Sequence, residues 1–187
     1  ISALFLLIFT LFTMLPMGAM VAFAESVENE NLKATFIPAL GGKMWSLIDK
    51  KTRKELLFRN SVVRPCNLAV RNAWTSGGVE WNMGFLGHSP MTCSLVNTAE
   101  TSLSDGTPVL RFYWFERIRC CIAQMDVFLP DDSDVLYVRT RLTNPNENTV
   151  PMYWWSNIAV PETQDTRVLV PTDESFLCFY NADHYVL

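Results

Sequence analysis

The chain has 187 residues, of which 49% are hydrophobic and 18% are charged, and its formal net charge is −4. A chain of this length suits one domain and buries about 70% of the surface that it exposes when unfolded. No cluster of Lys and Arg with interleaved aromatic residues occurs in the sequence. Composition therefore argues against nucleic acid as a partner.

The first 24 residues, ISALFLLIFTLFTMLPMGAMVAFA, carry no charge. They are long enough to span a bilayer, and they end in Ala22-Phe23-Ala24, the small-x-small pattern of a signal-peptidase site. We expect a signal peptide or a membrane anchor here, with a buried core helix as the remaining alternative. The location expected for residues 25–187 is secreted or membrane-anchored and extracytoplasmic, and membrane contact is expected through residues 1–24 only.

Cysteine and histidine usage gives little support to a metal site. The five cysteines form no C-x-x-C pair, and the two histidines are too few for a multi-histidine site. We expect buried thiols with at most one disulfide, and we predict neither a metal nor a cofactor. The sequence also lacks a P-loop, a G-x-G-x-x-G loop, a G-x-S-x-G elbow and an H-E-x-x-H helix.

From Glu25 onward, short apolar or alternating runs separated by turn residues predict β-strands. These runs fall at residues 32–38, 43–49, 93–103, 108–118, 120–130, 134–145, 150–161 and 167–171. Residues 150–161 form a continuous apolar run, which is typical of a strand covered on both faces. Residues 61–93 have little periodicity and read as a long functional loop. The sequence therefore predicts an all-β protein, an antiparallel β-sandwich with one elaborate loop.

Four blocks of sequence carry a family resemblance. They are ENENLKATFIPALGGKMWSLIDKKTRKELLFRN, RNAWTSGGVEWNMGFLGHSP, GTPVLRFYWFERI and NPNENTVPMYWWSNIAVPETQDTRVLVP. From Glu28 to about Pro171 the chain resembles a domain-of-unknown-function family with a galactose-mutarotase-like β-sandwich. Members are often large proteins with tetratricopeptide repeats, so the resemblance implies further domains of a longer parent chain. The sequence stops at DHYVL without a closing turn, and we expect a larger sandwich that continues beyond it.

The resemblance implies a sugar-handling fold of the supersandwich type, with two departures. Relatives place a His-rich tract after the G-G-V-E-W-N block, whereas this chain has the single His88. Aldose epimerases carry a His beside an aromatic-Asn pair in a late strand, and residues 153–157 read YWWSN without one.

The segment GGVEWNMGFLGH singles out Glu80 and His88 as candidate catalytic residues. Gly77 and Gly78 permit positive φ or a close backbone approach, which would aim the carboxylate into a cleft. Flanking tryptophans would remove water from the carboxyl group and favour its neutral form, as a general acid/base requires. The alternative is a buried structural carboxylate, paired with Arg71 or with backbone N–H groups.

Aromatic, amide and charged residues of the same blocks are the candidate substrate-binding groups. They are Arg71, Trp74, Trp81, Asn82, Glu116, Trp155, Asn157 and Glu162. Strand alternation places Trp155 and Asn157 on one face, where an aromatic core strand is the alternative. Glu116 is a possible second carboxylate for glycoside hydrolysis, although pairing with an Arg across the sheet is the commoner role.

Three functions from different classes follow. The first is a carbohydrate-active enzyme, epimerase-like or glycosidase-like, acting on an oligosaccharide. The second is a carbohydrate-binding module without catalysis. The third is a non-catalytic scaffold or interaction β-sandwich of a larger multidomain protein.

Overall fold

The computed structural model describes residues 24–62, 75–83, 87–174, 176–177 and 185–186, with side chains as far as residue 174. The leader or anchor predicted at residues 1–24 lies almost wholly outside this part of the chain, as do Arg71 and Trp74. No helix in the described ranges is long and apolar enough to cross a membrane.

Six strands form the first sheet. They are β1 (Glu25–Glu28), β2 (Leu32–Ile37), β3 (Lys43–Asp49), β4 (Lys54–Glu55), β5 (Val79–Met83) and β10 (Trp154–Ile158). The strand order is β1-β2-β3-β5-β10, and all neighbouring strands are antiparallel. Strand β4 pairs with the C-terminal end of β3, whereas β5 pairs with its N-terminal end. The bulged register between β2 and β3 falls at Thr35/Phe36.

Four strands form the second sheet, in the order in which they occur in the chain. They are β6 (Asn97–Ser102), β7 (Pro108–Glu116), β8 (Cys121–Phe128) and β9 (Tyr137–Thr143). Two-residue strands β11 (Phe176–Leu177) and β12 (Tyr185–Val186) pair separately, and short 3-10 helices occupy Pro38–Leu40 and Pro90–Cys93.

The two sheets bury one core between them. Phe36 and Trp81 of the first sheet belong to the same buried cluster as Phe112, Trp114 and Met125 of the second. The Phe36 and Phe112 ring centroids are 5.4 Å apart. The predicted all-β antiparallel sandwich is therefore confirmed. We call the face of each sheet that is turned away from this core its outer face.

Three local predictions were wrong. The predicted loop at residues 61–93 contains β5, all of it buried, in the interior of the first sheet. Strand β10 is not covered on both faces, because Ser156, Asn157 and Ile158 are exposed at the last position of the strand order. Residues 167–171 form no strand, and Val168 and Leu169 are among the most exposed apolar side chains described. Apolar composition favours a strand, but only a paired neighbour creates one.

Candidate functional site

Strand β5 enters the first sheet through two glycines with positive φ, 89° at Gly77 and 67° at Gly78. A Cβ on Gly78 would overlap the carbonyl oxygen of Met44 on β3, so the position requires glycine. The Gly78 carbonyl accepts a hydrogen bond of 2.9 Å from Ala159 N, just after β10. The predicted close backbone approach is thus present, and it seats β5 tightly between its two neighbours.

Glu80 lies on the outer face of the first sheet and is 2% exposed. Its Oε1 accepts from Asn82 Nδ2 at 2.9 Å and lies 2.6 Å from His88 Nδ1. When the carboxylate is ionised it only accepts hydrogen bonds, and the contact then requires the proton on Nδ1. Oε2 of Glu80 is buried and has no hydrogen-bond partner within the described ranges.

Asn82 holds the segment that carries His88 against β5. The side chain is fully buried, and its Oδ1 accepts from Ser89 N at 2.6 Å. Ser89 in turn caps the 3-10 helix Pro90–Cys93 by accepting from Met91 N. Since both ends of the Asn82 amide are used internally, Asn82 positions Glu80 and His88 and is not available to a ligand.

Strand β10 adds an aromatic ring and an amide to the same face. Register pairs Trp155 with Asn82 and Asn157 with Glu80. The Trp155 ring meets the His88 ring edge-to-face, with centroids 5.0 Å apart, and Trp155 Nε1 donates to Gly87 O at 3.2 Å. Asn157 is exposed beside the buried Glu80. The predicted shared face of Trp155 and Asn157 therefore forms one side of the Glu80–His88 pair.

Sequence reasoning missed Lys43, which is 2% exposed at the start of β3. The Met44–Val79 pairing sets Lys43 opposite Glu80, and Lys43 Nζ donates to Thr75 O at 2.8 Å. Burial lowers the pKa of Lys43, and the charge of Glu80 partly opposes that change. Alternation along KMW was the available signal, because it puts Lys43 on the face opposite the core residue Met44.

The half-buried Cys93 thiol was also missed. It ends the 3-10 helix Pro90–Cys93, and burial raises its pKa, with the charge of Glu80 acting in the same direction. Cys93, Cys120 and Cys121 are free thiols, and Cys66 and Cys178 lie outside the described side chains. Within the described ranges no group of three His, Cys, Asp or Glu residues is arranged to hold a metal ion.

Two predicted binding residues are placed away from Glu80. Trp81 faces the inter-sheet core, where its Nε1 donates to Gly42 O at 2.9 Å, because neighbouring residues of a strand point to opposite faces. It therefore cannot desolvate Glu80 as predicted. Glu116 belongs to the second sheet, and its two oxygens accept from Ile118 N and Arg119 N of the β7–β8 turn. It is a turn-capping carboxylate of the β7–β8 turn.

The remaining predicted residues contribute less. Glu162 is exposed in the segment after β10. Arg71 and Trp74 lie outside the described residues. The site that the structure assembles therefore consists of Glu80, His88, Asn82, Trp155 and Asn157, with Lys43 beside them.

A solved structure resembles this chain. It is a crystal structure of a TPR-domain containing protein from Parabacteroides distasonis ATCC 8503, with a TM-score of 0.68 and 29% sequence identity. The match covers 74% of this chain and 24% of that chain, so the present chain spans about a quarter of that protein's length.

A protein-family model also matches, over residues 21–184, a range that includes every strand except β12 and all the predicted site residues. The chain belongs to the family described as "Domain of unknown function (DUF5107)".

Proposed function

We propose that the outer face of the first sheet is a carbohydrate site in which Glu80 and His88 act as a proton-transfer pair. The observation that carries the proposal is the 2.6 Å contact between His88 Nδ1 and Glu80 Oε1. The family resemblance to galactose-mutarotase-like sandwiches supports a sugar as the ligand. That support comes from analogy of fold, which is weaker than the geometry of the site.

Burial decides how the two roles are divided. The His88 side chain is 24% exposed, whereas that of Glu80 is 3% exposed. The imidazole is therefore the group that meets a ligand and gives or takes its proton. Glu80 orients the ring and stabilises its positive charge when it is protonated. This division differs from the sequence-based expectation, which made Glu80 the general acid/base.

Trp155 and Asn157 supply the binding groups of the proposal. A tryptophan ring offers a flat apolar surface for the C–H face of a sugar, and an amide offers both a donor and an acceptor to neighbouring hydroxyls. Trp155 also packs on His88, so a sugar on this ring would lie next to the imidazole.

The geometry favours epimerase-like proton transfer over glycoside hydrolysis. Hydrolysis usually employs two carboxyl groups on either side of the scissile bond. Glu116, the predicted second carboxylate, belongs to the other sheet and already accepts two backbone hydrogen bonds. One imidazole backed by one carboxylate instead suits ring opening of a reducing sugar. His88 would take the proton of the anomeric hydroxyl and return it to the ring oxygen, while Glu80 stabilises the imidazolium formed in between.

Polarimetry tests this function directly. The full chain should accelerate the mutarotation of α-D-glucose or α-D-galactose, and Glu80→Gln and His88→Asn should each lower the rate by about a hundredfold or more. Tryptophan fluorescence should show that His88→Asn keeps most of its sugar affinity. Glu100→Gln, at an exposed carboxylate on β6, is the matched control and should behave as wild type.

The outcomes separate the three functional classes. Saturable binding of monosaccharides or of maltotriose without any acceleration would indicate a carbohydrate-binding module. If a folded chain showed no binding and no acceleration, that result would contradict the proposal and favour the scaffold alternative. A secreted or membrane-anchored location belongs to the same proposal and is supported by the uncharged segment 1–24.

A further inference from the structure

Two buried polar atoms without a hydrogen-bond partner belong to residues that interact with Lys43. Within the described ranges four buried side-chain polar atoms have no hydrogen-bond partner. Two of them are Glu80 Oε2, opposite Lys43, and Thr75 Oγ1, in the residue whose carbonyl Lys43 contacts. Buried polar groups in native proteins almost always have partners. These two atoms therefore mark a place where the fold offers hydrogen bonds to something else.

The Lys43 ammonium group also has more N–H donors than the described residues have acceptors for it. An ammonium group carries three N–H donors, and the described residues supply one acceptor, Thr75 O. No ion pair within 4.0 Å joins Lys43 to Glu80 in the described part of the chain, although their charges interact. Two opposite charges, both 2% exposed, thus lie at opposed register positions of neighbouring strands.

We propose that Lys43 and Glu80 form a hydroxyl-binding slot. In this slot the oxygen of one O–H group accepts a hydrogen bond from Lys43 Nζ and donates a hydrogen bond to Glu80 Oε2. An O–H group satisfies both sides at once through a single oxygen, which accepts from the ammonium and donates to the carboxylate. An anionic group would be repelled by the carboxylate, and a cationic group by the ammonium. The slot therefore selects neutral polyhydroxylated ligands over uronates and amino sugars.

The hydroxyl has two possible sources, a buried water molecule and a sugar. The sugar assignment rests on the proposed function, whereas the slot itself does not. One row across β3, β5 and β10 consists of Lys43, Glu80 and Asn157. Lys43 and Glu80 are buried, and Asn157 is exposed on β10. A sugar held by Asn157 and Trp155 would thus present one hydroxyl along the row toward Lys43.

The slot is tested first by a high-resolution crystal structure of the full chain without sugar. We expect electron density for one oxygen at hydrogen-bond distance, about 2.7–3.2 Å, from both Lys43 Nζ and Glu80 Oε2. A direct Lys43–Glu80 ion pair, or side chains that point apart with no oxygen between them, would overturn the inference. This measurement requires no ligand and no variant, so it is decisive even if Lys43 variants fail to fold.

The source of the hydroxyl is tested by fluorescence titration with D-galactose. Lys43→Met keeps the aliphatic stem and removes the donors, and it should weaken binding by about tenfold to a hundredfold, as expected for the loss of a charged hydrogen bond. Lys33→Met on β2 is the matched control, because Lys33 forms only a surface ion pair with Glu28, and its affinity should equal that of wild type. D-galacturonate should bind more weakly than D-galactose.

These results distinguish the slot from the proposed function. Unchanged D-galactose affinity in Lys43→Met would overturn the sugar as the source and assign the crystallographic oxygen to water. Failure of wild type to bind any neutral sugar would count against the proposed function, while an oxygen between Lys43 and Glu80 would still support the slot.

Discussion

Asp126 and Glu80 are both buried carboxylates on outer faces, one in each sheet, and their partners differ in kind. Asp126 receives two hydrogen bonds from Arg111, of 2.7 and 2.9 Å, and one of 2.9 Å from Arg139. Both of its oxygens are paired with guanidinium groups from the strands on either side. Glu80 has one oxygen bound by an amide and an imidazole, and the other has no partner in the described ranges.

The difference appears in the protonation behaviour of Asp126. Burial raises the pKa of Asp126, but the hydrogen bonds from Arg111 and Arg139 outweigh burial and bring it to about 2. A carboxylate held in this way is fixed as an anion at every physiological pH, so it serves to join three strands. The comparison teaches that burial alone does not indicate chemistry. The indication comes from a buried carboxylate whose partners leave hydrogen-bonding capacity unused.

The largest effect should come from breaking the Asp126 network. Asp126→Asn leaves two arginines without their counter-charge, and we expect the free energy of unfolding to fall by about 2–3 kcal/mol. This value lies at the low end for buried ion pairs because both arginines are partly exposed and can be rehydrated. Urea unfolding measures it. A loss below about 0.5 kcal/mol would mean that the network contributes nothing beyond a surface ion pair.

Acid should remove a comparable amount of stability through the same residue. The pKa of Asp126 is lowered from 3.8 to about 2 in the folded chain, so its contribution is complete above about pH 5 and is lost as the pH falls toward 2. The shift corresponds to about 2 kcal/mol. Urea unfolding of wild type at pH 6 and at pH 3 should show about half of this loss, because the folded pKa of about 2 lies below pH 3, and Asp126→Asn should show a smaller one. Equal acid sensitivity of the two proteins would contradict the assignment.

Glu80→Gln should cost much less than Asp126→Asn, about 1 kcal/mol. The Gln carbonyl still accepts from Asn82 and His88, and Lys43, which loses the opposing charge, keeps its hydrogen bond to Thr75 O. Chemical unfolding of the two variants side by side makes the comparison. If Glu80→Gln were as costly as Asp126→Asn, Glu80 would be a structural carboxylate and the contrast between the two sheets would fail.

The smallest effect is expected for Trp155→Phe, about 0.5 kcal/mol. Phenylalanine preserves a ring against His88 and removes only the hydrogen bond from Nε1 to Gly87 O. Thermal unfolding measures the change, with wild type as the reference. A loss as large as that of Asp126→Asn would show that Trp155 anchors the fold, which would weaken its assignment as a ligand-facing ring.

Local pattern predicted several elements well and failed at two informative places. Residues 43–49 were predicted as a strand and form β3, and the strand predicted at residues 134–145 contains β9. Strand β5 was missed because VEWNM has a short, mixed composition, and only burial between β3 and β10 makes it a strand. Missing β5 also led to the wrong placement of Trp81 beside Glu80. Alternation shows which face of a sheet a side chain points to only after the strand has been assigned.

The sequence by itself determined the all-β class, most strand positions, the backbone freedom at Gly77 and Gly78, and the shared face of Trp155 and Asn157. All of these follow from local sterics and from the period of two along a strand. Only the tertiary structure decided that Glu80 meets His88 through a segment fixed by Asn82, that Lys43 lies opposite Glu80, and that Glu116 belongs to the other sheet. These contacts depend on which strands become neighbours and in what register, and that choice is made by the packing of the whole core.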